Sequence, residues 1–417
     1  MKQFLLLVPA FLFLVGPGVA SADKTDKLVR ILIEKQILTA DEAESVLEEL
    51  EGDAKKSPPS EPDGTLSVKY NKGIVFKTAD DHYTMKLNAR FHGIFSYSNP
   101  DKGESKSTFR TRRARILAGG NLFAPWLKYS TQITLEGSEA SLRDGYLEAS
   151  YYKWMTPRLG QYKVPFDREF LDGGFNLQLI DRSIASSEFA IQRDVGLQVS
   201  GKKILGAFDY DVGIFNGSGA NRNNVDNDYI YVGRLVWGPF GAYPYSESAV
   251  DNPSSQKFAL GIAGAYMPGL DPGERSTLAG NLGKTSILPV ESDVALMTAD
   301  LAYKYRNFSL MSGYYYRNID PGAATTFGEQ DAWGVYLQGG VFIVPKHFEV
   351  AGRYSRIDPD NPEKISDNEK TEYTIGLNYY FSGHSVKTGI NYSLFTTDKQ
   401  SGDEDEQALI ASVIFQF

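Results

Sequence analysis

No cysteine occurs anywhere in the 417 residues. Disulfides, thiolate metal sites and c-type haem attachment are therefore excluded. Histidine is scarce as well: His82, His92, His347 and His384 are scattered, and none lies at a metal-ligand spacing. There is no Gly-x-Ser-x-Gly elbow. Gly283-Lys284-Thr285 has the form of the end of a phosphate-binding loop, but the earlier glycine that loop requires is Leu278. An enzymatic reading thus finds little support, and no cofactor or metal is expected. Beyond the N-terminus no uncharged run approaches the ~20 apolar residues of a membrane-spanning helix. A formal charge of −9 argues against nucleic acid as a partner.

What is present points to an exported chain. Lys2 precedes an apolar run from Phe4 to Val15, interrupted only by Pro9. Ala20-Ser21-Ala22 then supplies a small-x-small cleavage site, so residues 1–22 read as a signal peptide and Asp23 as the mature start. Residues 23–50 read as two short helices. Leu28, Ile31, Leu32 and Lys35 keep helical spacing, as do Ala43, Val46, Leu47 and Leu50. Thr39 and Glu42 between them form a capping box. Such a pair is either a self-associating helical hairpin or coiled-coil segment, or a loosely ordered arm. Residues 51–64, with Pro58, Pro59 and Pro62, read as a linker.

Residues 65–417 change to a period of two. Met85, Leu87, Ala89, Phe91, Phe95 and Tyr97 oppose Lys86, Asn88, Arg90 and His92. Tyr373, Ile375, Leu377, Tyr379 and Phe381 oppose Thr374, Asn378 and Ser382. About sixteen such stretches follow one another, many long enough for the ~10 residues of a tilted bilayer crossing. Every second connection is tight, as at Ala124-Pro125, Lys202-Lys203, Arg306-Asn307, Val344-Pro345-Lys346 and Ser382-Gly383-His384. The intervening ones are mostly longer and polar. With 25 Tyr and 24 Phe for interfacial girdles, the pattern predicts an all-β transmembrane antiparallel barrel carrying a short N-terminal helical extension. The last strand, ending at Phe417, is expected to pair with the one near 84–97, with Phe415 and Phe417 outward. Residues 238–256 break the rule: they are too long for a tight turn, and imply a missed strand pair or a folded turn.

A barrel of this size leaves an aqueous lumen whose charged rings set selectivity. Alternation places Arg113 and Arg115 on one face of their strand and Ala114, Ile116 and Ala118 on the other. The apolar face must meet lipid or a neighbouring subunit, so the arginines are expected to face the lumen, with Lys86 and Arg90 on the approach and His92 alongside. Planar guanidinium forks suit phosphate and related oxyanions. The same arginines could instead pair with lumen carboxylates such as Glu136, Asp144 and Glu148, as in a general porin. The connection 164–192 carries Phe166, Phe170, Leu171, Phe175, Leu177, Leu179, Ile180, Phe189 and Ile191, too apolar to extend into water. It is expected to fold into the barrel and constrict it, bringing Arg168 and Arg182 with Lys163 and Arg193 at its feet, and Asp167, Glu169, Asp181 and Glu188 as well.

Arg112-Arg113-Ala114-Arg115, the run from Gly160 to Phe166 (Gly-Gln-Tyr-Lys-Val-Pro-Phe) and Arg193-Asp194-Val195-Gly196 resemble the phosphate-selective porins of the O and P type. The resemblance covers the chain from about Leu66 to Phe417. It implies a homotrimer of sixteen-stranded barrels among outer-membrane lipid and lipopolysaccharide, an inward third external loop, an arginine ladder to a central anion site, and a periplasmic N-terminal segment. On this reading Arg113, Arg115, Lys163, Arg168, Arg182 and Arg193 form the constriction. The alternatives are a general diffusion porin without phosphate selectivity, or a barrel that sheathes or scaffolds a partner protein. Asp226-Asn227-Asp228 and Asp403-Glu404-Asp405-Glu406 could bind calcium weakly but read better as solvated loop tips.

Overall fold

The computed structural model describes residues 66–137, 139–224, 227–270, 290–322, 328–358, 369–398 and 402–417. The expected signal peptide at 1–22, helical segment at 23–50, linker at 51–64 and the acidic position Asp226 lie outside the described residues. The strands are β1 (Leu66–Tyr70), β2 (Ile74–Thr78), β3 (Thr84–Pro100), β4 (Lys106–Asn121), β5 (Leu127–Thr134), β6 (Ser141–Ala149), β7 (Thr156–Lys163), β8 (Arg193–Ile204) and β9 (Phe208–Phe215). They continue with β10 (Ile230–Trp237), β11 (Lys257–Leu270), β12 (Ser292–Tyr305), β13 (Phe308–Asp320), β14 (Gln330–Val344), β15 (Phe348–Asp358), β16 (Lys370–Ser382), β17 (Val386–Thr397) and β18 (Glu404–Gln416).

From β3 onward each strand pairs antiparallel with the next, and β18 returns to β3, so sixteen strands close a barrel. Phe415 lies opposite Phe91, and the Phe417 N–H donates to the Ala89 carbonyl at 3.1 Å. The β1–β2 hairpin pairs with the first residues of β3, beyond the point where β18 ends. Its tip turns at Lys72 and Gly73, with φ of 48° and 132°.

Burial follows the period read from the sequence. On β16, Tyr373, Ile375, Leu377, Tyr379 and Phe381 are exposed, whereas Glu372, Thr374, Asn378 and Tyr380 are buried. An apolar outside around a polar inside is the inverse of a soluble sheet and fits a wall facing lipid. The short turns cluster at the rim where β3 begins and β18 ends. One falls later than expected: β8 runs through Lys202-Lys203, and the chain reverses at 205–207.

The connection 164–192 does enter the barrel. It contains two short helices that alternation gave no reason to expect, α1 (Arg168–Leu171) and α2 (Ile184–Phe189). Asp167 caps the first by accepting from the Glu169 and Phe170 N–H groups, and Ser183 caps the second. Val164, Phe166, Phe175, Leu177, Leu179, Ile180, Phe189 and Ile191 are at most 5% exposed. Polar ties fasten the segment to the far wall. Asp300 on β12 lies 3.0 Å from Arg168 Nε and 2.6 Å from Arg234 Nη2 of β10. Tyr315 donates to Asp167 at 2.6 Å, Arg317 pairs with Glu188 at 3.1 Å, and Arg353 Nη1 donates to the Asp181 carbonyl at 2.9 Å.

Residues 238–256 resolve as a folded turn, not a missed strand pair, and the turn enters the lumen from the opposite rim. Tyr243, Glu247, Ser248 and Ala249 are buried. Glu247 Oε2 accepts from the Gln178 backbone N–H at 2.6 Å and from Gln338 Nε2 at 2.9 Å, and Lys304 Nζ donates to the Ser246 carbonyl at 2.6 Å. Loop and turn meet at that carboxylate.

Two outcomes follow. Asp300→Ala leaves two buried guanidiniums without their shared carboxylate and is expected to cost ~3–5 kcal/mol, read as a lower urea midpoint in lipid vesicles. Ile375→Arg places a charge in mid-belt on the lipid face, 54% exposed in the wild type. It is expected to cost about 2–4 kcal/mol in the same titration.

Candidate functional site

With loop and turn seated against the far wall, the open part of the lumen lies along β3 to β9. It is a cavity of about 910 Å³. Among the described residues its lining holds eight arginines and four lysines against four carboxylates, Glu136, Asp144, Glu148 and Asp211. The chain as a whole is acidic, so this sign reversal is local.

Two of the arginines arrive by a device that strict alternation hides. His92 pairs with Arg113 and Gly93 with Thr111, so Arg112 is an extra residue in β4. Gln132 pairs with Asp144 and Ile133 with Leu142, so Arg143 is an extra residue in β6. A β-bulge sets two residues against one and re-aims a side chain. As a result Arg112 and Arg113 both line the cavity, and so do Arg143 and Asp144. Period-two reading sends Arg112 and Arg143 to the lipid face, and nothing in the local sequence except a neighbouring inward charge warns of the shift.

The hydrogen-bond donors divide the cations into two groups. Four arginines have carboxylate partners. Arg112 Nη2 is 2.5 Å from Asp181, Arg115 Nη2 is 3.5 Å from Glu136, Arg193 Nε is 2.9 Å from Asp144, and Arg158 Nε is 2.9 Å from Glu148. Burial would raise the Asp181 carboxyl, but Arg112 and Arg113 outweigh it and hold this loop group below the ordinary carboxylate range. By contrast, the guanidiniums of Arg90 and Arg143 have no carboxylate within ion-pair distance and no hydrogen-bond partner among the described residues. Arg113 has one bond, from Nη1 to His92 Nδ1 at 2.7 Å. Those three present their forks to the cavity.

The residues expected to form the constriction do not all serve alike. Arg113, Arg115, Lys163, Arg182 and Arg193 line the cavity, and so does Arg90. Arg168 does not: it is 1% exposed and belongs to the Asp300 fastener. Its sequence neighbours could not reveal this, because its partner lies 132 residues away. Lys86 is also outside the lining; it sits near the start of β3, between Val75 and Gly119. Lys163 lines the cavity but its ammonium donates to three carbonyls, of Phe170, Leu171 and Asp172, at 2.6–2.9 Å. An ammonium has three donors, so Lys163 contributes charge and shapes the loop without an N–H left for a solute. Arg182 donates from Nε and Nη2 to carbonyls of the same turn, which leaves Nη1 without a hydrogen-bond partner among the described residues. At this turn Asp172 is fully buried, and burial raises its carboxyl despite Arg168, Lys304, Lys163 and Arg182 nearby.

A protein of Aquifex aeolicus (strain VF5), described as uncharacterized, is 22% identical over 472 aligned positions that span the whole of both chains. Among solved structures, the anion-selective porin from Comamonas acidovorans is similar with a TM-score of 0.57 at 13% identity, covering 80% of this chain and 99% of that one. The outer-membrane channel DcaP of Acinetobacter baumannii gives 0.54 at 13% identity, covering 80% and 97%. The trimer form of OmpT from Vibrio cholerae gives 0.50 at 10%, covering 80% and 99%. At such identities these likenesses establish the barrel fold. Residues 85–417 match the phosphate-selective porin O and P family, and this chain belongs to it.

Proposed function

We propose that this outer-membrane channel passes small anions, phosphate or related oxyanions foremost, by passive diffusion along the cationic side of its lumen. The observation that carries the reading is the donor count. Arg90, Arg113 and Arg143 face the cavity without a carboxylate at ion-pair distance, while the lining as a whole holds three cations for each acid. Unpaired guanidiniums raise the local concentration of anions and repel cations. Their forks also match the oxygen spacing of an oxyanion. Binding there stays weak because water competes in an open cavity, and fast conduction needs weak binding.

The remaining constriction residues act within this reading. Arg115 and Arg193, each tied to a carboxylate, form the sides of the ladder, Arg182 offers one amino group, and Lys163 adds field. Arg168 keeps the loop in place and Lys86 lies off the path. A sheath for a threaded protein fits poorly, since loop and turn already occupy the far half of the lumen. In this reading the chain is exported by residues 1–22, its turn rim and N-terminal segment face the periplasm, lipopolysaccharide borders the loop rim, and three copies assemble. The family and the trimer form of OmpT support the assembly.

Planar-bilayer recording under a potassium chloride gradient is the test, with a reversal potential of anion-selective sign expected and phosphate expected to block chloride current. Arg143→Gln removes one unit charge worth about 1 kcal/mol at contact, so the chloride-to-potassium permeability ratio is expected to fall about fivefold. Arg143→Lys keeps the charge but loses the fork. It is expected to retain the ratio and weaken the phosphate block. A cation-selective wild type would sink the proposal, and selectivity without block would reduce it to a general anion pore.

A further inference from the structure

The crowded guanidiniums on this side pose a problem that one ion pair, Arg115 with Glu136 at 3.5 Å, does not solve. Arg90, Arg113 and Arg115 crowd one part of the lumen and repel one another, and Arg90 has neither a carboxylate nor a hydrogen-bond acceptor among the described residues. The geometry points to Gly174 and Phe175, in the inward loop, as positioning residues that hold these three guanidiniums in the pore without adding a further negative charge. This assignment rests on the anion-channel reading.

Phe175 is 1% exposed, and two guanidiniums lie against its ring. The Arg90 Cζ lies 5.6 Å from the ring centroid, the Arg115 Cζ lies 5.5 Å from it, and the His92 ring lies at 6.3 Å. A benzene ring attracts cations through its quadrupole. It carries no net charge, so it orients the two guanidiniums and leaves their field available to a solute. A carboxylate at the same place would orient them equally well and cancel the charge on which selectivity depends. Phe175 is therefore suited to this place in a way that the loop's acids are not.

Gly174 acts on the third. The three heavy atoms nearest a Cβ built there all belong to Arg113: Nε at 2.8 Å, Cζ at 3.1 Å and Cδ at 3.4 Å. The arginine lies across bare backbone, and that course brings Nη1 to His92 Nδ1 at 2.7 Å. An alanine would push the guanidinium off its line. The displaced group is the pore cation itself, while the wall and the loop's anchors are untouched. The expected damage is thus to solute binding more than to stability.

The test uses the full-length protein in planar bilayers, with Gly174→Ala, Phe175→Leu and Phe175→Tyr compared with wild type. The readouts are the inorganic phosphate concentration that halves the chloride current, the permeability ratio and the urea midpoint. Gly174→Ala and Phe175→Leu are expected to raise the half-block concentration about fivefold, the upper end of the scale for a solvent-exposed cation–π contact, with the permeability ratio near wild type because every cation remains. Phe175→Tyr keeps the ring and is expected to restore the block. Unchanged block in both Gly174→Ala and Phe175→Leu, in a wild type that phosphate does block, overturns the positioning role alone. So does a tyrosine variant as weak as leucine, because volume and not the ring would then be what matters. A wild-type channel that phosphate does not block overturns the reading of the pore, and this assignment with it.

Discussion

In a hydrocarbon medium every backbone N–H and C=O must find its partner within the protein. A sheet meets that demand only by closing, and here closure rests on one antiparallel pairing, β18 on β3, with Gln416 opposite Arg90. Everything else follows from the ring it completes. Apolar side chains take the outside because lipid is there. Polar ones take the inside because they have nowhere else to go. The inward face of sixteen strands holds more charge than it can leave unpaired, so the interior has to be organised as carefully as any core.

The interior solves this unevenly. Along β10 to β17 the charges are compensated: Asp300 joins Arg168 to Arg234, Glu372 accepts from Arg353, and Glu349 takes bonds from Gln178, Asn378 and Tyr380. Breaking such a buried set by deleting one partner is costly, and this holds the loop and the inward turn in place. Along β3 to β9 cations outnumber acids around an open cavity of about 910 Å³. One half of the barrel is thus a polar core that fixes the position of a constriction. The other half is the passage that the constriction leaves. Neither half would serve alone, since an uncompensated wall without a fixed loop is a wide pore with a diluted field.

The barrel was legible because its physics is periodic. Alternation of Tyr373, Ile375, Leu377 and Tyr379 with polar neighbours announces a strand between lipid and water, and the apolar content of 164–192 announces a segment that cannot stay outside. Both readings needed only nearest neighbours along the chain. What stayed hidden depends on residues distant in sequence or on broken periods. Arg168 reads as a pore cation until Asp300 is placed beside it. Lys163 reads as an anion ligand until three carbonyls of the loop take its donors. Arg112 and Arg143 read as lipid-facing because a single inserted residue reverses the face of each. The unusual length of 238–256 was visible, but its destination was not, because its anchoring carboxylate Glu247 has partners on the loop and on β14.

The two bulges suggest why arginine is rich in this lumen without the barrel being destabilised by it. A regular strand offers one inward position in every two, and filling adjacent inward positions on neighbouring strands with arginine stacks like charges directly across from each other. A bulge supplies an additional inward side chain at a different angle, next to an inward residue of its own strand. At β4 the added Arg112 turns to Asp181 of the loop, leaving Arg113 to the lumen. At β6 the added Arg143 stands beside Asp144, whose carboxylate is already engaged by Arg193. In each case the strand gains an arginine while a carboxylate nearby disperses part of the repulsion, and one guanidinium of the local set is left without an acid. Local neutralisation and a residual positive field are therefore products of the same backbone irregularity. The charge that the strands present to this lumen thus depends as much on where they depart from regular pairing as on how many arginines the sequence contains.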